Sequence, residues 1–337
     1  MGSLRKMSFK LLALTFVFSI SHNLSYSYET KSEEMKEVMK YNRETLSLVS
    51  NWLDKSSLQT SLGRYGLPAI AVQHMDSYIG NEVTYSDLVA YLSSFLTDQI
   101  QYLEIGVSVG KNFFQICNYL QQSIAIGLDL DKPNKSLESF FSNCREKSSW
   151  DSFTQISNPY NHEIWFKKYG FTSEWLMKGC SGAYKVQPEN RYLQYNYDNR
   201  SNDIYYLVGD VLDESLWEKL SKDSFKLNLI FSDAFHFNDA VLYEYEMMQK
   251  YNLLNKDEFV LVFDDLNAVG GGFNRIWTDI KKESSGDIFK FIVFVKGWIG
   301  NNEDSHPVGV IMKSKNISSL SSLTSLIGFL DILEVSN

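Results

Sequence analysis

Residues 102–113 read "YLEIGVSVGKNF". An apolar run carrying Glu104 meets Gly106 and Gly110, with Ser108 between them, and gives way to a helical pattern around Lys111. Glycines at a strand-to-helix turn let the backbone pass close to a ligand, and a helix N-terminus adds partial positive charge. The spacing is E-x-G-x-S-x-G, whereas a dinucleotide fingerprint requires G-x-G-x-x-G, so a nicotinamide oxidoreductase is the weaker reading. The same letters satisfy G-x-S-x-G, a nucleophile-elbow pattern in which Ser108 would need a later acid and histidine, nominally Asp264 and His306.

Seven short apolar runs extend outward from this turn: "QYLEIGV", "SIAIGLDL", "DIYYLVG", "LNLIFSD", "EFVLVFDD", "FKFIVFVK" and "VGVIMK". Helical patterns separate most of them, and most end in an acid or a glycine. That alternation predicts an α/β fold: a doubly wound, Rossmann-like, mostly parallel seven-stranded sheet. The last two runs are joined by "GWIGNNEDSHP", which has no helical pattern and predicts an antiparallel edge hairpin. Between Asp131 and Asp203 lie about seventy residues, roughly twice what one crossover needs. The excess, about 148–200, reads as an insertion after the second strand that would cover a ligand pocket. Residues 28–97 read as a helical N-terminal region, with Met35, Val38, Met39, Leu46 and Val49 at helical spacing. The main domain spans 98–315, and a Ser/Leu-rich tail occupies 316–337.

Composition narrows the function classes. With 44% hydrophobic and 15% aromatic residues among 337, the chain is globular. Its net charge is −9 and its longest basic clusters are pairs such as Lys167-Lys168 and Lys281-Lys282, so a nucleic-acid partner is disfavoured. At the N-terminus Arg5, Lys6 and Lys10 flank the apolar run "LLALTFVFSI", and polar residues follow. Residues 1–27 therefore read as a signal peptide or N-terminal anchor, with membrane targeting through residues 5–20 and a cytoplasmic location as the alternative. Cys117, Cys144 and Cys180 show no metal-ligand spacing; in an oxidising compartment Cys144 and Cys180 would be the pair to bridge.

The strand ends carry acids in sequence: Glu104, Asp129, then Asp210. Together with E-x-G-x-x-x-G this resembles motif I and the following motifs of class I S-adenosylmethionine (SAM)-dependent methyltransferases. The resemblance implies that Glu104, Gly106, Ser108 and Gly110 form the turn along the methionine part of the cofactor. It also implies that Asp129 accepts hydrogen bonds from the ribose hydroxyls and Asp210 from the adenine amino group. Carboxylates only accept, which suits a vicinal diol and an exocyclic amine. Ser108 stands where a middle glycine is usual.

"LNLIFSDAFHFNDA" and "FVLVFDDLN" then supply Asp233, His236, Asp264, Asp265 and Asn267 from adjacent strand ends. Carboxylates placed so can converge on one hard cation. The layout resembles metal-dependent O-methyltransferases of the caffeoyl-CoA and catechol type and, more closely, the macrocin type, which has Asp-x-x-His followed by Asp-Asp. It implies Asp233, Asp264 and Asp265 as ligands of a divalent cation, Mg2+, and His236 as the catalytic base, its ordinary pKa being about 6.5. The acceptor would be a hydroxyl of a small molecule: a sugar, a glycosylated metabolite or a phenolic. Ala234 departs from a frequent glycine, and the resemblance covers 98–315 without the insertion. One other reading stays open, a non-catalytic cofactor-binding protein; "SNPY" at 157–160, as the remnant of an amino-methyltransferase motif, lacks the second proline and does not follow the fourth strand, and is discounted.

Overall fold

The computed structural model describes residues 33–46, 80–130, 202–284, 286–297, 305–328, 330 and 332–336, and the backbone of 192–197. The segment 1–27, Cys144, Cys180, "SNPY" and most of the insertion expected over 148–200 lie outside the described residues. Among the described residues no helix is long and apolar enough to cross a membrane.

Helix α1 (33–46) and α2 (Tyr85–Ser93) precede the sheet. Then come β1 (Gln101–Ile105), α3 (Lys111–Tyr119), β2 (Ile124–Asp129), β3 (Tyr192–Tyr197) and β4 (Asn202–Val208). They are followed by α4 (Glu214–Lys222), β5 (Leu229–Ser232), α5 (Asn238–Lys250), β6 (Phe259–Phe263) and α6 (Leu266–Glu283). The chain closes with β7 (Phe289–Val295), β8 (His306–Lys313), α7 (Leu320–Ile327) and β9 (Ile332–Ser336).

These strands form one nine-stranded sheet in the order β3-β4-β2-β1-β5-β6-β8-β7-β9. The five central strands, β4, β2, β1, β5 and β6, are parallel. Their sequence order, third-second-first-fourth-fifth, is that of a doubly wound sheet, which places a topological switch between β1 and β5. The strands alternate between two cores, as a pleat demands. Val260 and Val262 of β6 join the core containing Leu88 and Phe113, while Phe259, Leu261 and Phe263 join the one containing Trp217 and Phe273.

The structure amends the seven-strand expectation at both margins. Tyr192–Tyr197, inside the stretch assigned to the insertion, pairs antiparallel with β4, and Ile332–Ser336, inside the tail, pairs with β7. Each lies at one edge of the sheet, and polar residues interrupt both "YLQYNY" and "ILEVS", so neither has the continuous apolar run that marked the central strands. The expected hairpin is present, Val295 pairing with His306, but it is not the edge. Strand β8 enters between β6 and β7, with Phe263 paired to Gly309.

The N-terminal helices are tied down by polar contacts. Arg43 of α1 makes a two-pronged pair with the buried Asp87 of α2, both distances 2.9 Å. Asn42 Nδ2 donates to the same carboxylate at 2.8 Å. Burial alone would raise the pKa of Asp87; Arg43 and Asn42 outweigh it and hold it below the usual carboxylate range.

Candidate active site

The carboxyl ends of the parallel strands all reach one level. Hydrogen bonds continue one residue past each strand: Gly106 N to Leu128 O at 2.8 Å, Asp233 N to Ile105 O at 2.8 Å and Asp264 N to Ser232 O at 3.1 Å. Crossover helices leave β1 and β5 on opposite faces of the sheet, so a crevice opens between their loops. A cavity of about 310 Å³ sits there, at the small end of ligand pockets.

One wall is the Gly106–Val109 turn with Lys111 and Asn112. Gly106 is at φ 88°, and a Cβ built on it would lie 2.4 Å from the carbonyl oxygen of Asp233. Only glycine lets the turn close over the end of β5. Ser108 also has positive φ, 54°, and its N–H donates to Asp129 Oδ2 at 2.7 Å. Asp129, the last residue of β2, therefore fixes the turn. Gly110, at φ 82°, begins α3 rather than lining the cavity.

Glu104 is buried beneath the turn, where Tyr102 Oη donates to it at 2.5 Å. Burial pushes its pKa well above the usual range, and the Tyr102 hydrogen bond offsets this only in part. Lys111, equally buried, donates to Ser86 Oγ at 3.2 Å and Asn112 Oδ1 at 3.0 Å. Burial pulls its pKa down to about 7 against the opposing pull of Asp87. Asp210 shapes the loop after β4, accepting from Leu212 N at 2.9 Å. Of the expected cofactor residues, Gly106 and Ser108 line the cavity, whereas Glu104, Gly110, Asp129 and Asp210 are not among its lining residues.

The opposite wall holds Asp233, His236, Asp264 and Asp265, with Tyr85 and His306. His236 stands between two carboxylates: its Nδ1 is 2.5 Å from Asp265 Oδ2 and its Nε2 is 3.3 Å from Asp233 Oδ1. Burial disfavours the charged ring, but Asp233 and Asp265 outweigh it and push the imidazole up to about 11. That differs from the ordinary value assumed from sequence, and the reason is the paired carboxylates. Burial and the neighbouring Asp264 push Asp233 well above the carboxylate range, whereas the hydrogen bond with His236 holds Asp265 below it. Asp265 begins α6 in the left-handed region, φ 51° and ψ 47°, a strained conformation of the kind that gathers at functional sites.

Asp264 is only 7% exposed, and its Oδ1 has no hydrogen-bond partner. Two sets of side chains bring ligand atoms within 4.8 Å of one another: Asp233, His236 and Asp264, and Asp264, Asp265 and His306. Each set takes two of the three carboxylates expected from sequence, and Asp264 is common to both.

Tyr85 and His306 were not among the expected metal or cofactor residues. Tyr85 comes from α2, its ring 6.0 Å from that of His306 in an edge-on arrangement. Burial and the Asp264 carboxylate beside its hydroxyl push the Tyr85 pKa far up. His306 is the first residue of β8, and an antiparallel strand starts at the end where its parallel neighbours finish. The signal was present in "NNEDSHPVGV", but using it required knowing which strand β8 joins. Glu244 of α5 lies deeper, accepting from Ser232 Oγ at 2.6 Å while its Oε1 stays unpartnered.

No protein-family model and no curated protein sequence matches the chain. Among solved structures it is similar to the O-methyltransferase TomG from Streptomyces achromogenes, in complex with SAM, at 12% identity over 78% of this chain and 91% of that one, with a TM-score of 0.37. It is similar to an O-methyltransferase from Bacillus cereus at 13% identity over 77% of this chain and 92% of that one, TM-score 0.36. A third, the plantazolicin methyltransferase BpumL, gives 11% identity over 85% of this chain and 100% of that one, TM-score 0.36. The sheet of this chain has its own Rossmann-like α/β topology, parallel at its centre and antiparallel at its margins.

Proposed function

We propose that the chain is a SAM-dependent O-methyltransferase that uses a divalent cation and acts on a hydroxyl of a small molecule, such as a sugar, a glycosylated metabolite or a phenolic. One observation carries this reading: a single cavity has the Gly106–Ser108 turn on one wall and the Asp233–His236–Asp264–Asp265 cluster on the other. The first wall offers backbone N–H groups, the start of α3 and Lys111 to a ligand whose amino-acid end carries both an ammonium and a carboxylate. Asp129, at the end of β2, and Asp210, just beyond β4, would accept from ribose and adenine, since carboxylates only accept.

The second wall fits a cation. Asp264 Oδ1 is a buried acceptor lacking a hydrogen-bond donor, and two further carboxylates, Asp233 and Asp265, lie beside Asp264. An aliphatic hydroxyl is a poor nucleophile near neutrality, and a divalent ion supplies the missing acidity by lowering the hydroxyl's pKa. His236, held by Asp233 and Asp265, stands where it can take the proton once the charge of those carboxylates is compensated. Without that compensation the ring keeps its proton, because its pKa is pushed up to about 11.

Calorimetric titration with S-adenosylhomocysteine should give saturable binding. Transfer of labelled methyl from SAM to a panel of sugar and phenolic acceptors should be abolished by chelator. His236→Ala should abolish transfer while leaving affinity for S-adenosylhomocysteine close to wild type. Absence of binding, or full activity of the variant in excess chelator, would overturn the reading.

A further inference from the structure

We propose that His306 is a ligand of the cation in this cavity and that, with Asp264 and Asp265, it selects a first-row transition ion over Mg2+. The inference rests on the reading of this cavity as a cation-assisted methyl-transfer site, and it identifies the metal of that site by class.

Three observations lead to His306. The first is placement. Strand β8 pairs with β6 at Phe263–Gly309 and with β7 at Val295–His306, so it runs three residues beyond the end of β6, directly over Asp264-Asp265. The second is the donor geometry. One ligand atom from each of Asp264, Asp265 and His306 lies within 4.8 Å of the others, near the span of about 4.2 Å between opposed ligands at about 2.1 Å from a small divalent ion. The third is the orphaned acceptor: Asp264 is more than nine-tenths buried, lines the cavity, and keeps Oδ1 without a partner. A buried oxygen left so is unfavourable, and a bound cation would satisfy it.

The two histidines differ in what occupies them. His236 engages Asp265 through Nδ1 and Asp233 through Nε2, so both ring nitrogens already have carboxylate partners. The His306 ring is steadied by the edge of Tyr85, and no hydrogen bond to it occurs among the described residues. Two carboxylates and a neutral imidazole carry two negative charges, which balances a divalent ion.

The donor set decides the metal class. Mg2+ favours an all-oxygen octahedron, whereas imidazole nitrogen favours later first-row ions, for which affinity at nitrogen and oxygen sites rises from Mn2+ towards Cu2+. A site built from Asp264 and Asp265 alone would suit Mg2+; His306 shifts it towards ions such as Co2+, Fe2+ or Zn2+.

The test measures binding to the stripped full-length chain, with Co2+ and Mg2+ as probes. Wild-type protein should bind Co2+ in preference to Mg2+, and His306→Ala and His306→Gln should each narrow the Co2+/Mg2+ affinity ratio by about tenfold or more. His236→Ala should narrow it less. Thermal unfolding without metal checks that each variant folds. The cobalt absorption edge of the wild type gives an independent answer, because its first shell should contain imidazole.

An unchanged ratio in both His306 variants, a cobalt shell without imidazole, or no Co2+ binding by the wild type would each overturn the proposal. Titration with S-adenosylhomocysteine in parallel separates the two levels. If it binds while the ratio is unmoved, the assignment of His306 fails and the methyltransferase reading stands. If it does not bind to the wild type, that reading fails.

Discussion

Replacing Gly106 by alanine tests the geometry on which the site depends. The new Cβ would sit 2.4 Å from the Asp233 carbonyl oxygen, 2.6 Å from its carbon and 2.7 Å from Ala234 Cα. These are backbone atoms, so no side chain can swing aside. Ordinary non-bonded carbon separations are about 3.5–4.0 Å, so the β1 turn and the end of β5 must separate by on the order of 1 Å. That movement strains the Asp233 N to Ile105 O hydrogen bond of 2.8 Å. An L-residue at positive φ adds about 1–2 kcal/mol, and overpacking about 1–3 kcal/mol, giving a loss of roughly 2–5 kcal/mol. Asp233 lies at the centre of the displacement, and an error of about 1 Å in a reacting constellation costs on the order of a hundredfold in rate.

Urea unfolding followed by circular dichroism measures the first quantity, and calorimetry with S-adenosylhomocysteine shows the disturbance of the turn. Gly270→Ala is the control: a Cβ there meets nothing within 4 Å, and alanine inside α6 should stabilise by about 0.5–1 kcal/mol. A Gly106→Ala protein with the wild-type midpoint and wild-type affinity would refute the reasoning.

Arg43→Ala should destabilise by about 3–5 kcal/mol by leaving Asp87 charged, buried and underpaired, as read by denaturant titration. Because the folded pKa of Asp87 is depressed, its contribution is present above the ordinary carboxylate value of about 3.9 and is lost as pH falls through the folded value, which acid-unfolding curves of wild type and variant would show. Burial pushes Glu244 up to about 7, so the folded state holds a proton that the unfolded state has released. Stability from this group therefore falls as pH rises through the interval between the ordinary glutamate value, about 4.3, and 7, and Glu244→Gln should flatten that part of the Tm profile. Ser108→Gly exchanges a strained φ of 54° for a more flexible unfolded chain, so stability should change by less than about 1 kcal/mol and S-adenosylhomocysteine affinity should hold, since Asp129 is reached by the backbone N–H.

The central strands and the acids at their ends were legible in sequence because parallel strands buried on both faces leave continuous apolar runs. "LIFS" and "FVLVF" are buried at every position, and an acid immediately after such a run is conspicuous. Strand β3 was not legible: "YLQYNY" lies in an aromatic, Asn-rich stretch and borders the sheet on one side only. Tyr85 and His306 reach the cavity from segments more than two hundred residues apart, through the packing of α2 and the insertion of β8. No local pattern records either event. The state of His236 was likewise hidden, since Asp265 lies twenty-nine residues on and meets it only through the adjacency of β5 and β6.

The position of β8 also bears on the order in which the molecule can assemble. Strands β1, β2, β4, β5 and β6 can pair as the chain lengthens, but β7 follows β6 in sequence without being its neighbour. Until residues 306–313 arrive, β6 is an open edge of five apolar residues, the kind of surface that recruits stray strands. Closing it brings His306 to the cavity in the same step, so the last insertion that protects the sheet is also the one that finishes the site.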